Sequence, residues 1–239
     1  MFRREESRKK QTMKKIFLLL SLFATTFIHA QSGADLIKRL KAKMDKVTDY
    51  QASAQMIIDV AFINAPKSDV SVYYKRPDKF RVIKKDGISV LPKGGVSVNP
   101  GSLLFANNYT VVEAGTATVA GVATKVLKLL PLDDKSDIVI TTLYIDDKAL
   151  LIRKSAVTTK EKGSYEMEMS YSKYAAYGLP STVLFTFSTK DFKLPKGITF
   201  DYEKSGKKAP PPKSDGKGRV VINYSSYVIN KGVSDKVFD

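Results

Sequence analysis

Ser164-Tyr165-Glu166-Met167-Glu168-Met169-Ser170-Tyr171-Ser172 alternates large apolar and polar side chains without a break. Successive side chains of a strand point to opposite faces, so this stretch lays Tyr165, Met167, Met169 and Tyr171 on one face and Glu166, Glu168, Ser170 and Ser172 on the other. A sheet built from such strands is greasy on one side and wet on the other, which is the signature of antiparallel structure with one face turned to a core.

The period of two continues in both directions. Gly178-Leu179-Pro180 interrupts it and residues 181–188 resume it; Lys162-Gly163 separates it from residues 149–159, and Asp146-Asp147 and Asp133-Asp134 set off residues 137–145 and 124–130. Residues 50–61, 70–75 and 80–84 read the same way between Asn64-Ala65-Pro66, Arg76-Pro77-Asp78 and Lys85-Asp86-Gly87, and residues 220–229 close the series. Links this short join antiparallel neighbours, because a parallel pair needs a crossover of a dozen or more residues. A long antiparallel meander is therefore expected.

One helix precedes it. Ser32-Gly33-Ala34-Asp35 has the form of a capping box, and Leu36, Ile37, Leu40, Met44 and Val47 follow at spacings of three and four, with Lys38, Arg39, Lys41, Lys43 and Lys46 on the other face. One amphipathic helix does not cover so large a greasy face. Either the sheet curls and leaves an apolar hollow, which is a binding site by default, or it closes as a filled barrel or pairs as a sandwich; periodicity alone fits both.

Residues 88–120 are less regular, broken by Pro92, Gly94, Gly95, Pro100, Gly101, Asn107 and Asn108, and read as a mobile loop or lid, or as a pair of short strands with long turns. Residues 204–219 contain Ala209-Pro210-Pro211-Pro212 amid Gly, Ser and Lys and read as a linker or extended hairpin loop. The expected layout is a signal peptide over 1–30, one domain over 31–239 with a Pro/Gly/Lys-rich insertion at 204–219, and a C-terminal strand extension over 220–239. The signal rests on Lys14 and Lys15, the apolar run 16–20 with Leu22, Phe23, Phe27 and Ile28, and a small residue at Ala30. That run is barely a dozen residues, against about 20 for a membrane-spanning helix. A cleaved, exported chain is expected.

Composition narrows the chemistry. The chain has no cysteine, so no acylated lipobox anchors it and no disulfide braces it, and its one histidine, His29, lies in the signal. Cysteine nucleophiles, Ser-His-Asp triads and most zinc, copper and haem sites need ligands the mature chain lacks. The formal charge is +16; seven basic against two acidic residues in the signal account for +5 of it and leave +11. A solvated surface explains that excess, and so does weak attraction to anionic lipids at roughly 1 kcal/mol per basic residue near a membrane. No basic helix or motif points to nucleic acid.

Three segments carry a family resemblance. Leu40-Lys41-Ala42-Lys43-Met44-Asp45-Lys46-Val47 followed by Tyr50-Gln51-Ala52-Ser53, then Tyr74-Lys75-Arg76-Pro77-Asp78-Lys79-Phe80-Arg81, then Phe185-Thr186-Phe187 with Leu194-Pro195-Lys196-Gly197-Ile198-Thr199, resemble in order and spacing the LolA-like periplasmic carriers of outer-membrane lipoproteins. The resemblance covers most of residues 35–203. It implies a mainly β (α+β) fold: an antiparallel half-open barrel with the N-terminal helix and lid segments over an apolar cavity. It also implies a periplasmic protein, expected to be a monomer without cofactor or metal, that takes acyl chains of lipoproteins from an inner-membrane lipoprotein-release transporter to an outer-membrane acceptor. The family's arginine at the Arg-Pro turn, which holds the lid to the barrel, carries over by position to Arg76. The chain departs from the family in having no Trp and in its Pro-rich insertion.

By phase, the candidate cavity lining is Tyr165, Met167, Met169 and Tyr171 with Val183, Phe185 and Phe187 beside them, although the same residues would serve a filled core. Two other functions fit less of the sequence. A regulator of the same fold would sense envelope lipid or bind a membrane-anchored protein, and a hydrolase would use Asp133 with Asp134 or Asp146 with Asp147. Those acid pairs sit where turn chemistry favours Asp, and neighbours on a hairpin do not flank a substrate. No catalytic residue is expected.

Overall fold

The computed structural model describes residues 32–60, 63–64, 67–84, 104, 108–161, 163–189 and 216–238. The expected signal, most of the irregular region and the Pro-rich insertion, and the segment 194–199, lie outside the described residues. The helix and strands described below all belong to one unit, Gly33–Asp239.

Helix α1 (Gly33–Met44) opens it and buries Leu36, Ile37 and Leu40, as its spacing predicts. The chain then enters β1 (Asp49–Val60), β2 (Ile63–Asn64), β3 (Ser68–Lys75) and β4 (Lys79–Lys84), followed by β5 (Tyr109–Val119), β6 (Val122–Pro131), β7 (Ile138–Asp146), β8 (Leu151–Thr159), β9 (Ser164–Ser170), β10 (Thr182–Ser188) and β11 (Lys217–Ile229). All belong to one sheet in the order β4-β3-β1-β11-β10-β9-β8-β7-β6-β5, with β2 folded onto β1. Every pairing is antiparallel. The sheet is unclosed: β4 and β5 are its two edges. Among the described residues no helix is long and apolar enough to cross a membrane.

Two features depart from the sequence expectation. Residues 109–119, placed in the irregular region, form the long edge strand β5; Gly115 has φ +86° and sits in a bulge between Glu113 and Thr116. A bulge admits one extra residue without ending the ladder. Ala120 (φ +47°) and Gly121 (φ +78°) then make the two-residue turn into β6, the left-handed pair such tight hairpins require. The chain is also not a simple meander. It runs consecutively from β5 to β10, but β11 then inserts beside β1, so the first and last strands pair from Tyr50↔Ile229 to Asp59↔Arg219.

The sheet is strongly curled. Laid flat, the strands between the β3–β4 turn and β5 would span about 40 Å at ~4.8 Å per strand. Yet α1, whose 12 residues extend only ~18 Å, touches both ends. At its start the Gly33 amide donates to the Glu113 carboxylate of β5 at 2.5 Å. Just past its end, Asp45 pairs with Arg76 of the β3–β4 turn at 3.1 Å, and Arg76 also donates to the Asp45 carbonyl at 3.2 Å. The helix straps one side of the open sheet to the other.

Candidate ligand-binding site

The register explains how the concave face is built. One row crosses seven strands as Leu127, Leu143, Ser155, Met167, Phe185, Val220 and Ile58, each opposite the next. A second runs Val111, Leu129, Thr141, Val157, Tyr165, Phe187 and Gly218, and a third Met169, Val183, Ile222 and Met56. Six of the seven residues expected to line a cavity thus fall in three adjacent rows on two neighbouring strands. The rings of Tyr165 and Phe185 lie 5.3 Å apart and those of Phe185 and Phe187 5.6 Å apart. Burial, with Asp137 adding to it, pushes the Tyr165 phenol up to about 12.

Tyr171 is placed differently. Strand β9 ends at Ser170, and Tyr171 turns its hydroxyl to the Ile152 carbonyl, donating at 2.8 Å, under the Arg153 guanidinium. Burial raises its pKa against the opposing pull of Arg153.

The six residues are covered, none more than 7% exposed, and they share one apolar cluster with Leu36, Ile37 and Leu40 of α1 and with Leu104. Burying such side chains is worth about 1.5–3 kcal/mol each, so in this conformation the concave face serves as core. Open volume lies at its side. A groove of about 550 Å3 runs between α1 and the edge strand β5, with Ile37, Tyr109 and Val111 at its base and Lys38, Lys41 and Asp45 along its rim.

Arg76 belongs to a clamp at the other end of α1. Its amide donates to the Thr48 carbonyl at 2.9 Å while its guanidinium holds Asp45. Asn230, just past β11, donates to the Lys46 carbonyl at 2.7 Å and accepts from the Thr48 amide at 2.9 Å. Below the clamp is a group of tyrosines that the sequence did not single out. Tyr227 stacks on Tyr224 at 5.0 Å, meets Tyr174 at 5.0 Å and Tyr50 at 5.3 Å, and donates to the Pro180 carbonyl at 2.7 Å; Tyr50 in turn meets Tyr74 at 5.3 Å. Burial pushes the Tyr50 and Tyr227 phenols well above their ordinary range. No local signal reveals this group, because Tyr50 and Tyr227 meet only through the β1–β11 pairing.

The acid pairs are turn builders here. Asp133 accepts from the Lys135 amide at 2.9 Å; Asp146 accepts from the Ala149 amide at 3.0 Å and the Arg153 guanidinium at 2.7 Å. Burial disfavours the Asp146 charge, but those donors outweigh it and lower its pKa. Among the described residues no three acidic, His or Cys side chains gather as a metal would require.

No family model and no curated protein sequence matches the chain. Solved structures do. A Vibrio parahaemolyticus domain described as outer membrane lipoprotein-sorting superposes with TM-score 0.55 at 12% identity, over 86% of this chain and 95% of that one. A DUF1329 family protein from Desulfovibrio piger gives 0.53 at 13% identity, over 86% and 95%. A LolA superfamily protein from Nitrosomonas europaea gives 0.53 at 11% identity, over 85% and 97%. Likeness at such identity speaks for the fold alone, and the fold of this chain, an unclosed antiparallel sheet strapped by one helix, is the LolA-like fold.

Proposed function

We propose that this protein is an exported carrier of acylated molecules, lipoproteins or lipids, that holds their acyl chains against the concave face of its half-barrel and catalyses no reaction. The observation that carries this reading is the strapped, unclosed sheet: its apolar concave face packs against a 12-residue helix that is tied near both edges, to Glu113 of β5 and to Arg76 of the β3–β4 turn. Moving that helix would uncover the part of the face packed against Leu36, Ile37 and Leu40. The LolA-like fold supports the reading, as does the sequence, whose N-terminal residues have the form of a cleaved signal and which holds no cysteine for an anchor. Cargo would pass from an inner-membrane transporter to an outer-membrane acceptor.

The energetics fit a carrier. An acyl chain of about fifteen methylenes gains on the order of 12 kcal/mol on leaving water, at about 0.8 kcal/mol each. Lifting α1 from its own apolar contacts offsets part of that gain, which lets cargo be released again.

The test is native mass spectrometry of the exported, gently purified protein, beside Arg76→Leu, which frees one end of the strap. Co-purifying acylated molecules, held more strongly in Arg76→Leu, are the expected result. A protein that emerges empty and takes up no lipopeptide when challenged would end the carrier reading in favour of a protein-binding envelope module.

A further inference from the structure

The groove between α1 and β5 combines two properties that the covered face lacks: it is open, and it is charged. Its base is apolar, formed by Ile37, Tyr109 and Val111, all of which pack against the core cluster. Val111 also begins the row that continues through Leu129, Thr141 and Val157 to Tyr165 and Phe187. The groove is thus the outer end of the apolar face. Its rim is cationic. Lys38 and Lys41, three residues apart on one side of α1, both line it, and neither has an ion-pair partner among the described residues; Asp45, also on the rim, is held by Arg76.

The two ends of the strap also differ. The Asp45 end is tied by the ion pair to Arg76 and by the Asn230 bonds to Lys46 and Thr48. The Gly33 end rests on an edge strand through the Gly33–Glu113 hydrogen bond, with the groove alongside.

We infer that this groove is the portal of the half-barrel and that it selects an anionic phospholipid, whose acyl chain follows Ile37, Tyr109 and Val111 inward while its phosphate head sits between Lys38 and Lys41. This rests on the carrier reading and names the ligand class within it.

The experiment measures binding of fluorescently labelled palmitoyl lysophosphatidylglycerol and palmitoyl lysophosphatidylcholine to the full chain. The variants are Lys38→Gln/Lys41→Gln, a control pair Lys128→Gln/Lys231→Gln with the same charge loss on exposed sites outside the groove lining, and Ala42→Phe, which fills the groove. An unchanged thermal unfolding midpoint certifies each variant as folded. The expected result is tighter binding of the anionic probe, weakened about fivefold per groove lysine, with the control pair near wild type and Ala42→Phe impaired for both probes. Equal affinity for the two heads, or equal losses in the groove and control pairs, would overturn the portal and leave the carrier standing. Failure of both probes to bind the wild-type protein would overturn the portal, and the carrier with it only where the lipopeptide challenge fails too.

Discussion

Ser155 sits inside one of the seven-residue rows, between Leu143 and Met167, fully buried, and its hydroxyl has no hydrogen-bond partner among the described residues. An orphaned buried hydroxyl costs about 1–3 kcal/mol, and alanine removes it while leaving a void smaller than a methyl group. Ser155→Ala is therefore expected to raise stability by about 1 kcal/mol, seen as a higher urea midpoint at unchanged slope; a loss of that size would mean that the hydroxyl is satisfied in solution. Gly218 makes the opposite case. It lies opposite Phe187 in the β10–β11 ladder, and a Cβ there would stand 2.3 Å from the ring. Gly218→Ala must push Phe187 off its place and is expected to cost about 1–3 kcal/mol, with loss of near-ultraviolet aromatic dichroism; a neutral result would show that the ring is mobile. Phase alone identified Phe187 as inward-facing. It could not identify Gly218, which reads as part of the loop 204–219, because its role depends on a partner far back in the chain, in a strand that local pattern does not pair with it.

At the scale of elements, alternation made nine of the strands legible, and the helix was legible from its spacing. β5 was not, since Asn107 and Asn108 just before it are loop punctuation; Gly115 inside a β-branched run is a bulge signal, and that was the available clue. Of the residues at the end of α1, only Arg76 was singled out, through the family resemblance; its partner Asp45 lies in a turn. Because the two side chains are 38% and 41% exposed, Arg76→Leu is expected to lower global stability by no more than about 1 kcal/mol, while amide exchange speeds up in the last turn of α1; exchange unchanged there would show that the Asn230 bonds alone hold the strap. The C-terminal turn at Asp235–Val237 is pinned to β3 and β4 by Asp235, which accepts from Lys75 at 2.7 Å and Lys79 at 2.6 Å. Those hydrogen bonds hold the Asp235 carboxyl down to about 2. A depressed acid stabilises the fold above its unfolded pKa and loses that contribution as pH falls through the folded value, so the amides of Val237 and Phe238 should keep their chemical shifts from pH 7 to 4 and move only as pH approaches 2. Movement near pH 4 would mean that the pin is not formed.

Over the whole molecule, the sequence shows strands and faces but not their order. Nothing in local periodicity says that the strand after the Pro-rich segment belongs between β1 and β10, because a central strand and an appended one alternate alike. The consequence is large. In the ladder order β11 is the sole link between the β4-β3-β1 half of the sheet and the β10-to-β5 half, and it contributes Ile222 and Tyr227 to the core. Removing it leaves two unlinked edges, at β1 and β10, and uncovers Met56, Val183 and Phe185, whose partners across the ladder are Ile222 and Val220. Exposed edges of that kind pair with other chains. A chain truncated after Thr189 is therefore expected to aggregate or to lack a cooperative thermal transition, even though it retains the helix and every other strand. A soluble monomer with a sharp transition would instead show that the remaining strands close on one another, making β11 an ornament rather than the keystone of the sheet.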